Sequence, residues 1–330
     1  METRMNTRRT VLQAFALTAL LTTAATVPAA DWPTERPIRM IVPTPPGGGT
    51  DIFSRVIANH LGKALGQTIV VENKGGANGL IGQTTAAKAS GDGYTILFTY
   101  AAAIAVNPAM QPAMPYDTLK ELKPVAQIGA SGNYLVVASD VPAQDLKSFI
   151  DWVKKQPDPV NYGSWGIGSG GHLTMEAVKM QTGIKLNHVP YRGSGPLVTD
   201  LSAGTVKVAF ADTVSTLPYI KSGKFKALAI SGTMRAPVTP NVPTLSEQGV
   251  PFKLDSWYGI FAPAGTPDAI VKRLNAEITK LVGLPEIKER FLQMNMAESP
   301  SKTPEEFGAT VRRDMQAWGE IVRTNNIKPE

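Results

Sequence analysis

A short apolar segment, Ile38–Thr44, leads into three consecutive glycines at Gly47–Gly49, and an amphipathic segment begins directly afterwards. The apolar run predicts a buried strand, and the glycines predict a sharp turn that ends it. Apolar residues then recur at helical spacing across residues 53–65, with Thr50 or Asp51 as the predicted N-cap. This order is the beginning of a βαβ unit, which restricts the chain to α/β folds.

The same alternation continues along the chain. Thr68–Val71 and Tyr94–Thr99 are predicted strands with a predicted helix, Asn78–Ala89, between them. This βαβαβ order predicts a parallel sheet with helices on both faces. A second α/β unit of similar size follows. Its strands are predicted at Leu135–Ala138, Val160–Tyr162, His188–Val189, Val206–Phe210 and Ala227–Ile230.

The C-terminal part is predicted to be helical. Thr266–Asp268 is a helix start with proline at the first position, and Phe307–Ile321 is apolar on one helical face. Such helices need a sheet to cover, and the first unit is otherwise short of them. We therefore predict one lobe from residues 31–131 plus 254–330 and a second from residues 132–253. Two chain crossings would form a hinge, with a cleft between the lobes.

The first thirty residues have the pattern of a signal peptide. Arg4, Arg8 and Arg9 precede the uncharged apolar run Val11–Val27, and small residues at 27 and 29 suit a cleavage site. A membrane anchor is the alternative, but the run is short for a span. The stretch 7–12 also resembles a twin-arginine signal, so both Sec and Tat export stay open. The predicted localisation is the periplasm.

Composition excludes several functions. The chain has no cysteine, so disulfides and thiolate chemistry are absent, and the three isolated histidines give no convincing metal set. We predict no metal and no cofactor. The formal net charge is +6, and removal of residues 1–30, with three arginines and one glutamate, leaves +4. No dense basic run with interleaved aromatics is present, so no nucleic-acid partner is predicted. We expect a monomer.

Three glycine-rich loops lie between a predicted strand and a predicted helix. They are Pro45–Asp51, Lys74–Gly79 and Gly163–His172. A helix N-terminus offers unpaired N–H groups and a positive dipole end, and in doubly wound sheets such loops lie where ligands bind. Asp51 would repel an anion, so it is expected to cap its helix. The loops predict a small anionic ligand, although glycine-rich connections without a ligand are the alternative.

Enzyme signatures are missing from the sequence. No P-loop, dinucleotide fingerprint or G-x-S-x-G elbow is present. His172 opens a helix and is a candidate ligand contact, whereas His60 and His188 are expected to be structural. A hydrolase or lyase using His172 with Ser169 or Asp212 is one rival hypothesis, but no nucleophile, base and orienting group occur together, so no catalytic residue is predicted. A ligand-sensing module that docks on a histidine kinase is another.

Several motifs together resemble one family. They are Trp32-Pro33, Pro37–Arg39, Val42–Asp51 through Arg55, Val71–Gly79, Gly91–Tyr94, His188–Gly193 and Ala262–Pro267. In these residues the chain resembles Bug-type receptors, the periplasmic component of tripartite tricarboxylate transporters. The resemblance covers essentially the whole mature chain.

This resemblance implies a two-lobed, periplasmic-binding-protein type II fold, a clamshell with two hinge crossings. It implies a small organic carboxylate as ligand, a dicarboxylate or an aromatic acid among the candidates, and the membrane permease subunits of the transporter as partners. It implies no catalysis. The family often has an aromatic residue where this chain has Thr44. The smaller, polar threonine would enlarge or re-polarise that side of the pocket. Trp165 either stacks on a planar ligand or packs against a neighbouring loop.

The predicted ligand-binding residues come from both lobes. The first lobe supplies Thr44, Gly48, Gly49, Thr50, Asp51, Asn78, Thr99, Tyr100, Ala101 and Ala102. The second supplies Ser164, Trp165, Ser169, His172, Tyr191, Arg192 and Asp212.

Overall fold

The computed structural model describes residues 32–293, 296–297, 299 and 301–329. The predicted signal peptide, residues 1–30, lies outside them. The chain from Pro33 onward forms one compact unit, which contains two five-stranded sheets. The strands of the first sheet come from both ends of this unit, and those of the second come from its middle.

The first sheet has the order β2-β1-β3-β10-β4. Its strands are β1 (Ile38–Val42), β2 (Ile69–Asn73), β3 (Thr95–Tyr100), β4 (Leu122–Ser131) and the last strand of the chain, β10 (Ser256–Pro263). β1 is parallel to β2 and β3, as predicted. β10 enters antiparallel between β3 and β4, so the prediction of a purely parallel sheet is wrong.

The second sheet has the order β7-β6-β8-β5-β9. Its strands are β5 (Asn133–Ala138), β6 (Val160–Ser164), β7 (Leu186–Pro190), β8 (Val208–Asp212) and β9 (Phe225–Ile230). β6 is parallel to β7 and β8, whereas β5 is antiparallel to β8 and β9. A single residue, Gly132, separates β4 from β5. The first crossing between the sheets is therefore a direct step from strand to strand.

Helices connect most of the strands. They are α1 (Gly49–Leu65), α2 (Leu80–Ala87), α3 (Ala101–Met110), α4 (Thr118–Glu121), α5 (Leu146–Lys154), α6 (Gly170–Thr182), α7 (Ser194–Ala203), α8 (Thr213–Lys221), α9 (Asp268–Gly283), α10 (Pro285–Gln293) and α11 (Pro304–Thr324). The predicted helix Asn78–Ala89 is split, since a 3₁₀ turn at Ala77–Gly79 precedes α2. Within the described residues, no helix has the length and apolar character to cross a bilayer.

The first helix begins differently from the prediction. The N-cap of α1 is Gly48, with extended backbone and no side-chain cap, so the prediction that Thr50 or Asp51 caps this helix is wrong. Phe53, Ile57 and Leu61 are buried on its inner face, as the helical spacing indicated. The N–H groups of its first turn therefore meet no capping side chain.

The last helix joins the cores of the two sheets. Its first half, with Phe307 and Val311, packs in a cluster with Leu97 and Phe261 of the first sheet. Its second half packs elsewhere. Trp318 and Val322 belong to a cluster that includes Leu135, Val137 and Phe210 of the second sheet. α11 thus covers both lobes rather than the first alone, and it ties them together on this side of the molecule.

Candidate functional site

Several helices begin close to the carboxyl end of a strand, and four of them concern the candidate site. α1 and α3 follow β1 and β3 in the first sheet, and α6 and α8 follow β6 and β8 in the second. The positive dipole ends of these helices lie at the carboxyl ends of the strands, where open α/β sheets bind ligands.

The start of α1 lies against the second lobe. A Cβ built on Gly49 would be 2.9 Å from the Tyr258 Oη, 3.2 Å from the Asp212 Oδ1 and 3.5 Å from the Val214 Cβ. Asp212 and Val214 belong to the second lobe, whereas Tyr258 lies on β10 of the first. Glycine at position 49 is therefore what lets the two lobes approach this closely.

A hydrogen bond also joins the lobes. The Asn78 Nδ2 donates to the Gly168 carbonyl oxygen at 3.0 Å. Asn78 has φ of +48°, in the left-handed region that asparagine tolerates better than most residues. The Tyr100 hydroxyl donates to the Asn78 Oδ1 at 2.9 Å, which turns the amide nitrogen toward the second lobe. Two predicted ligand residues of the first lobe, Asn78 and Tyr100, are thus brought together as a bridge.

Asp51 shapes the loop between β1 and α1. Its carboxylate accepts hydrogen bonds from the Gly47 N–H at 2.9 Å and the Asn73 Nδ2 at 2.9 Å, and it pairs with Arg55. Burial alone would raise the pKa of Asp51, but the bonds from Arg55, Gly47 and Asn73 together hold it below its usual range. Every one of these partners lies in the first lobe, so the Asp51 carboxylate stabilises the loop between β1 and α1.

Tyr258 is a residue that the sequence analysis missed. Its ring packs on Phe53 and Phe98, with centroid distances of 4.9 and 5.7 Å, and its hydroxyl bonds the Thr50 side chain. Burial, reinforced by the negative Asp212, raises the pKa of Tyr258, so the hydroxyl stays protonated. No local motif marks this tyrosine, because its place beside Thr50 depends on the insertion of β10 next to β3.

Two predicted threonines have buried hydroxyls without a partner. The Thr44 Oγ1 and the Thr99 Oγ1 make no hydrogen bond within the described part of the chain. Thr99 is fully buried at the end of β3, and the Thr44 carbonyl holds the Asn73 amide at 3.0 Å. Unpaired buried hydroxyls are unfavourable, so both are candidates for a partner that binds later.

The predicted serines of the second lobe bind one another. The Ser169 hydroxyl donates to the Ser164 Oγ at 3.2 Å, and it caps α6 by accepting from the His172 N–H. The Ser164 Oγ also lies 2.7 Å from the His188 Nε2. Both serines are buried, and their hydroxyls belong to a network inside the lobe.

His172 and His188 form a stacked pair beneath this loop. Their ring centroids are 3.9 Å apart and the rings are nearly parallel. Burial, with a smaller contribution from Lys179, lowers the pKa of His172 to about 4. Burial and the neighbouring His172 lower the pKa of His188 to about 3. Both rings are therefore neutral at pH 7. The His172 Nδ1 accepts a hydrogen bond from the Gly168 N–H of its own lobe.

Trp165 packs against the start of α6. A Cβ on Gly171 would meet the Trp165 Cζ3 at 2.5 Å, so the glycine leaves room for the indole. The same helix start faces the first lobe, since a Cβ on Gly170 would lie 3.8 Å from the Ala102 Cβ. Ala101 and Ala102 are buried at the beginning of α3. Trp165 therefore packs on the start of α6, and its stacking on a planar ligand stays a prediction.

The remaining predicted residues of the second lobe differ in their surroundings. The Asp212 carboxylate caps α8 by accepting from the Ser215 N–H at 2.9 Å. The Tyr191 hydroxyl donates to the Asp200 Oδ2 at 3.0 Å, and Arg192 is exposed. Asp212 thus faces Gly49, whereas Tyr191 is bonded within its lobe.

A depression of about 320 Å³ lies on the outer side of α1. It is lined by Ile52, Arg55, Val56, Asn59, His60 and Arg290. All of these residues belong to α1 and α10, so the depression is separate from the contacts between the lobes. No group of three or more histidine, aspartate or glutamate side chains within the described ranges is placed to hold a metal ion.

Comparison with known proteins identifies the family. The sequence model of the tripartite tricarboxylate transporter family receptor matches residues 53–327. The chain belongs to this receptor family. The receptor is 37% identical over 307 residues to the protein BugT of Bordetella pertussis, and the match covers 92% of this chain and 94% of that protein.

Solved structures extend the comparison. The receptor is 31% identical to R. palustris Rpa4515 with adipate, with a TM-score of 0.85 over 91% of this chain and 100% of that one. It is 30% identical to MatC from Rhodopseudomonas palustris with bound malate, with a TM-score of 0.81 over 88% and 99% of the chains. The predicted family, the two-lobed α/β periplasmic-binding-protein fold and the role of solute-binding receptor are thereby confirmed.

Proposed function

We propose that the receptor captures a small organic dicarboxylate between its lobes and delivers it to the membrane permease subunits of a tripartite tricarboxylate-type transporter. The observation that carries this proposal is the meeting of helix N-termini from both lobes. Gly49 at the start of α1 faces Asp212, and Ala102 in the first turn of α3 faces Gly170. Adipate and malate, which similar proteins bind, are both dicarboxylates.

The first lobe is the better host for a carboxylate. No described side chain caps α1 or α3, whereas Ser169 caps α6 and Asp212 caps α8. The N–H groups of α1 and α3 are therefore free to bind an anion, with the hydroxyl of Thr50 beside them. Asp212 faces the start of α1 and repels a carboxylate bound there, so the start of α3 is the less opposed of the two positions.

Binding without turnover is part of the proposal. The contact of Ser164 with His188 has the length of a nucleophile–base pair, but Ser164 is fully buried under its own loop. A buried hydroxyl that bonds only within its lobe has no room for an attacked carbonyl. The receptor is therefore expected to return each carboxylate unchanged.

A thermal-shift series tests the proposed ligand class. Succinate, malate and adipate are expected to raise the melting temperature, with benzoate as the aromatic comparison. A ligand present at about one hundred times its dissociation constant stabilises the folded state by about 2.7 kcal/mol. Small-angle scattering on the same samples is expected to show a smaller radius of gyration with ligand. If no dicarboxylate shifts the melting temperature while benzoate does, the proposed class is wrong.

We also propose that residues 1–30 direct export and are then removed. The expected result is a periplasmic protein whose N-terminus lies near Ala30 or Asp31, measured by mass spectrometry of the intact chain. Recovery of the full-length protein from the membrane fraction would contradict this proposal.

A further inference from the structure

Gly168 is held from both sides. Its N–H donates to the His172 Nδ1 at 3.1 Å, and its carbonyl oxygen accepts from the Asn78 Nδ2 at 3.0 Å. The first bond lies inside the second lobe, and the second bond crosses to the first lobe. Gly168 has φ of +74°, and a Cβ there would be 2.7 Å from the Met110 Cε. The orientation of this one backbone unit thus links a buried histidine to the contact between the lobes.

The bond from Gly168 sets the state of the His172 ring. A nitrogen that accepts from a backbone N–H carries no proton, so the neutral ring has its hydrogen on Nε2. That nitrogen lies 3.9 Å from the Glu176 Oε1. A doubly protonated ring would turn a second N–H toward the Gly168 N–H, and the two donors would repel each other.

The groups around His172 favour the neutral ring. On α6, Lys179 bonds Glu176 at 2.8 Å; from β6, the Tyr162 hydroxyl donates to the same carboxylate at 2.8 Å. His188 on β7 stacks on the ring, and Ser164 on β6 bonds His188. The negative charge of Glu176 is therefore already engaged. Among the described residues of the first lobe, the uncharged Asn78 and Met110 lie against Gly168, Tyr100 bonds Asn78, and Ala102 lies against Gly170.

We propose that His172 is a positioning residue for lobe closure: its neutral ring fixes Gly168 so that the Gly168 carbonyl accepts the hydrogen bond from Asn78. This inference deepens the proposed capture of a carboxylate by closure and rests on it. His172 then acts on the ligand through the closed state rather than by touching it. Protonation of the ring opens the lobes.

Closure is measured without any ligand, so that a failure here is separate from a failure of the carboxylate proposal. The chain has no cysteine, and the exposed Lys63 and Lys221 lie on α1 and α8 of the two lobes. Lys63→Cys with Lys221→Cys gives one spin-labelled pair, and the distance distribution yields the ratio of closed to open protein.

Three variants are compared in this labelled background. His172→Leu removes the acceptor, His172→Asn keeps an oxygen acceptor close to the position of Nδ1, and Asn78→Ala removes the partner in the first lobe. His172→Leu and Asn78→Ala are each expected to lower the closed-to-open ratio by about fivefold, the effect of one net hydrogen bond. His172→Asn is expected to stay within about twofold of the parent. The double variant His172→Leu with Asn78→Ala is expected to lower the closed-to-open ratio no further than either single variant, because both changes act on the same hydrogen bond.

The pH profile separates positioning from general support of the fold. Between about pH 7 and about pH 4, the parent is expected to open as His172 gains a proton, and His172→Asn is expected to lose this part of the profile. This comparison holds even if His172→Leu does not fold. The proposal is overturned by additive losses in the double variant, by equal losses with leucine and asparagine, or by identical pH profiles of the parent and His172→Asn.

Discussion

Replacing Gly49 with alanine is expected to weaken the binding of a dicarboxylate by about tenfold or more, equivalent to about 1.4 kcal/mol. The added Cβ would lie 2.9 Å from the Tyr258 hydroxyl and 3.2 Å from the Asp212 carboxylate. Asp212 is fixed by its bond to the Ser215 N–H, so it has little freedom to move aside. The alanine would hold the lobes apart and expose one side of the ligand to water.

The measurement is the dissociation constant by calorimetry, together with the interlobe distance. Alanine favours a helix over glycine, so Gly49→Ala is not expected to destabilise α1 itself. Gly283→Ala, at the C-terminal end of α9, is the matched control, because no atom lies within 4 Å of its added Cβ. An unchanged dissociation constant for Gly49→Ala would contradict the role of this glycine in closure.

Gly48 offers a second comparison in the same loop. A Cβ on Gly48 meets no atom within 4 Å, and we expect Gly48→Val to leave the ligand-free contacts between the lobes intact. If the carboxylate lies at the start of α1, Gly48→Val weakens binding without changing the ligand-free interlobe distance. Gly49→Ala changes both. The two variants therefore distinguish contact with the ligand from contact between the lobes.

Local periodicity in the sequence predicts the elements whose partners are near in the chain. β1, α1, β2 and β3 follow one another, and the apolar alternation that marks them is complete within each segment. β10 begins after 25 intervening residues that follow β9, and its place between β3 and β4 depends on contacts far apart in the sequence. α3 and α8 each contain a proline, which makes them poor candidates for helices by pattern alone.

In the candidate site too, local features could be predicted from the sequence and contacts between distant residues could not. The glycine-rich loops could be placed from the sequence, because glycine after a strand and before a helix has a local meaning. The partners of polar side chains could not be placed. His172 and His188 stack only because β7 lies beside β6, and Asp51 is held by Asn73 only because β2 lies beside β1. Tyr258 required the pairing of β10 with β3.

The step between the two sheets should be the position most sensitive to a small change. Gly132→Ala is expected to destabilise the receptor by about 3 kcal/mol, the upper part of the range for overpacking. Its Cβ would overlap the Ser231 carbonyl oxygen and lie 2.5 Å from the Ile230 Cγ1. The backbone cannot yield easily, since the Asn133 N–H donates to the Ser231 Oγ and the Ser231 N–H donates to the Asn133 carbonyl, both at 2.8 Å.

Urea unfolding measures this loss, with Gly283→Ala again as the control. Gly132 connects β4 of one lobe to β5 of the other, and α11 packs on the cores of both. Strain at this step therefore reaches both sheets, and we expect one cooperative transition that moves to lower urea with little change in slope. Two separate transitions would mean that the lobes unfold independently. A midpoint equal to that of Gly283→Ala would mean that the step between the strands moves aside to admit a methyl group.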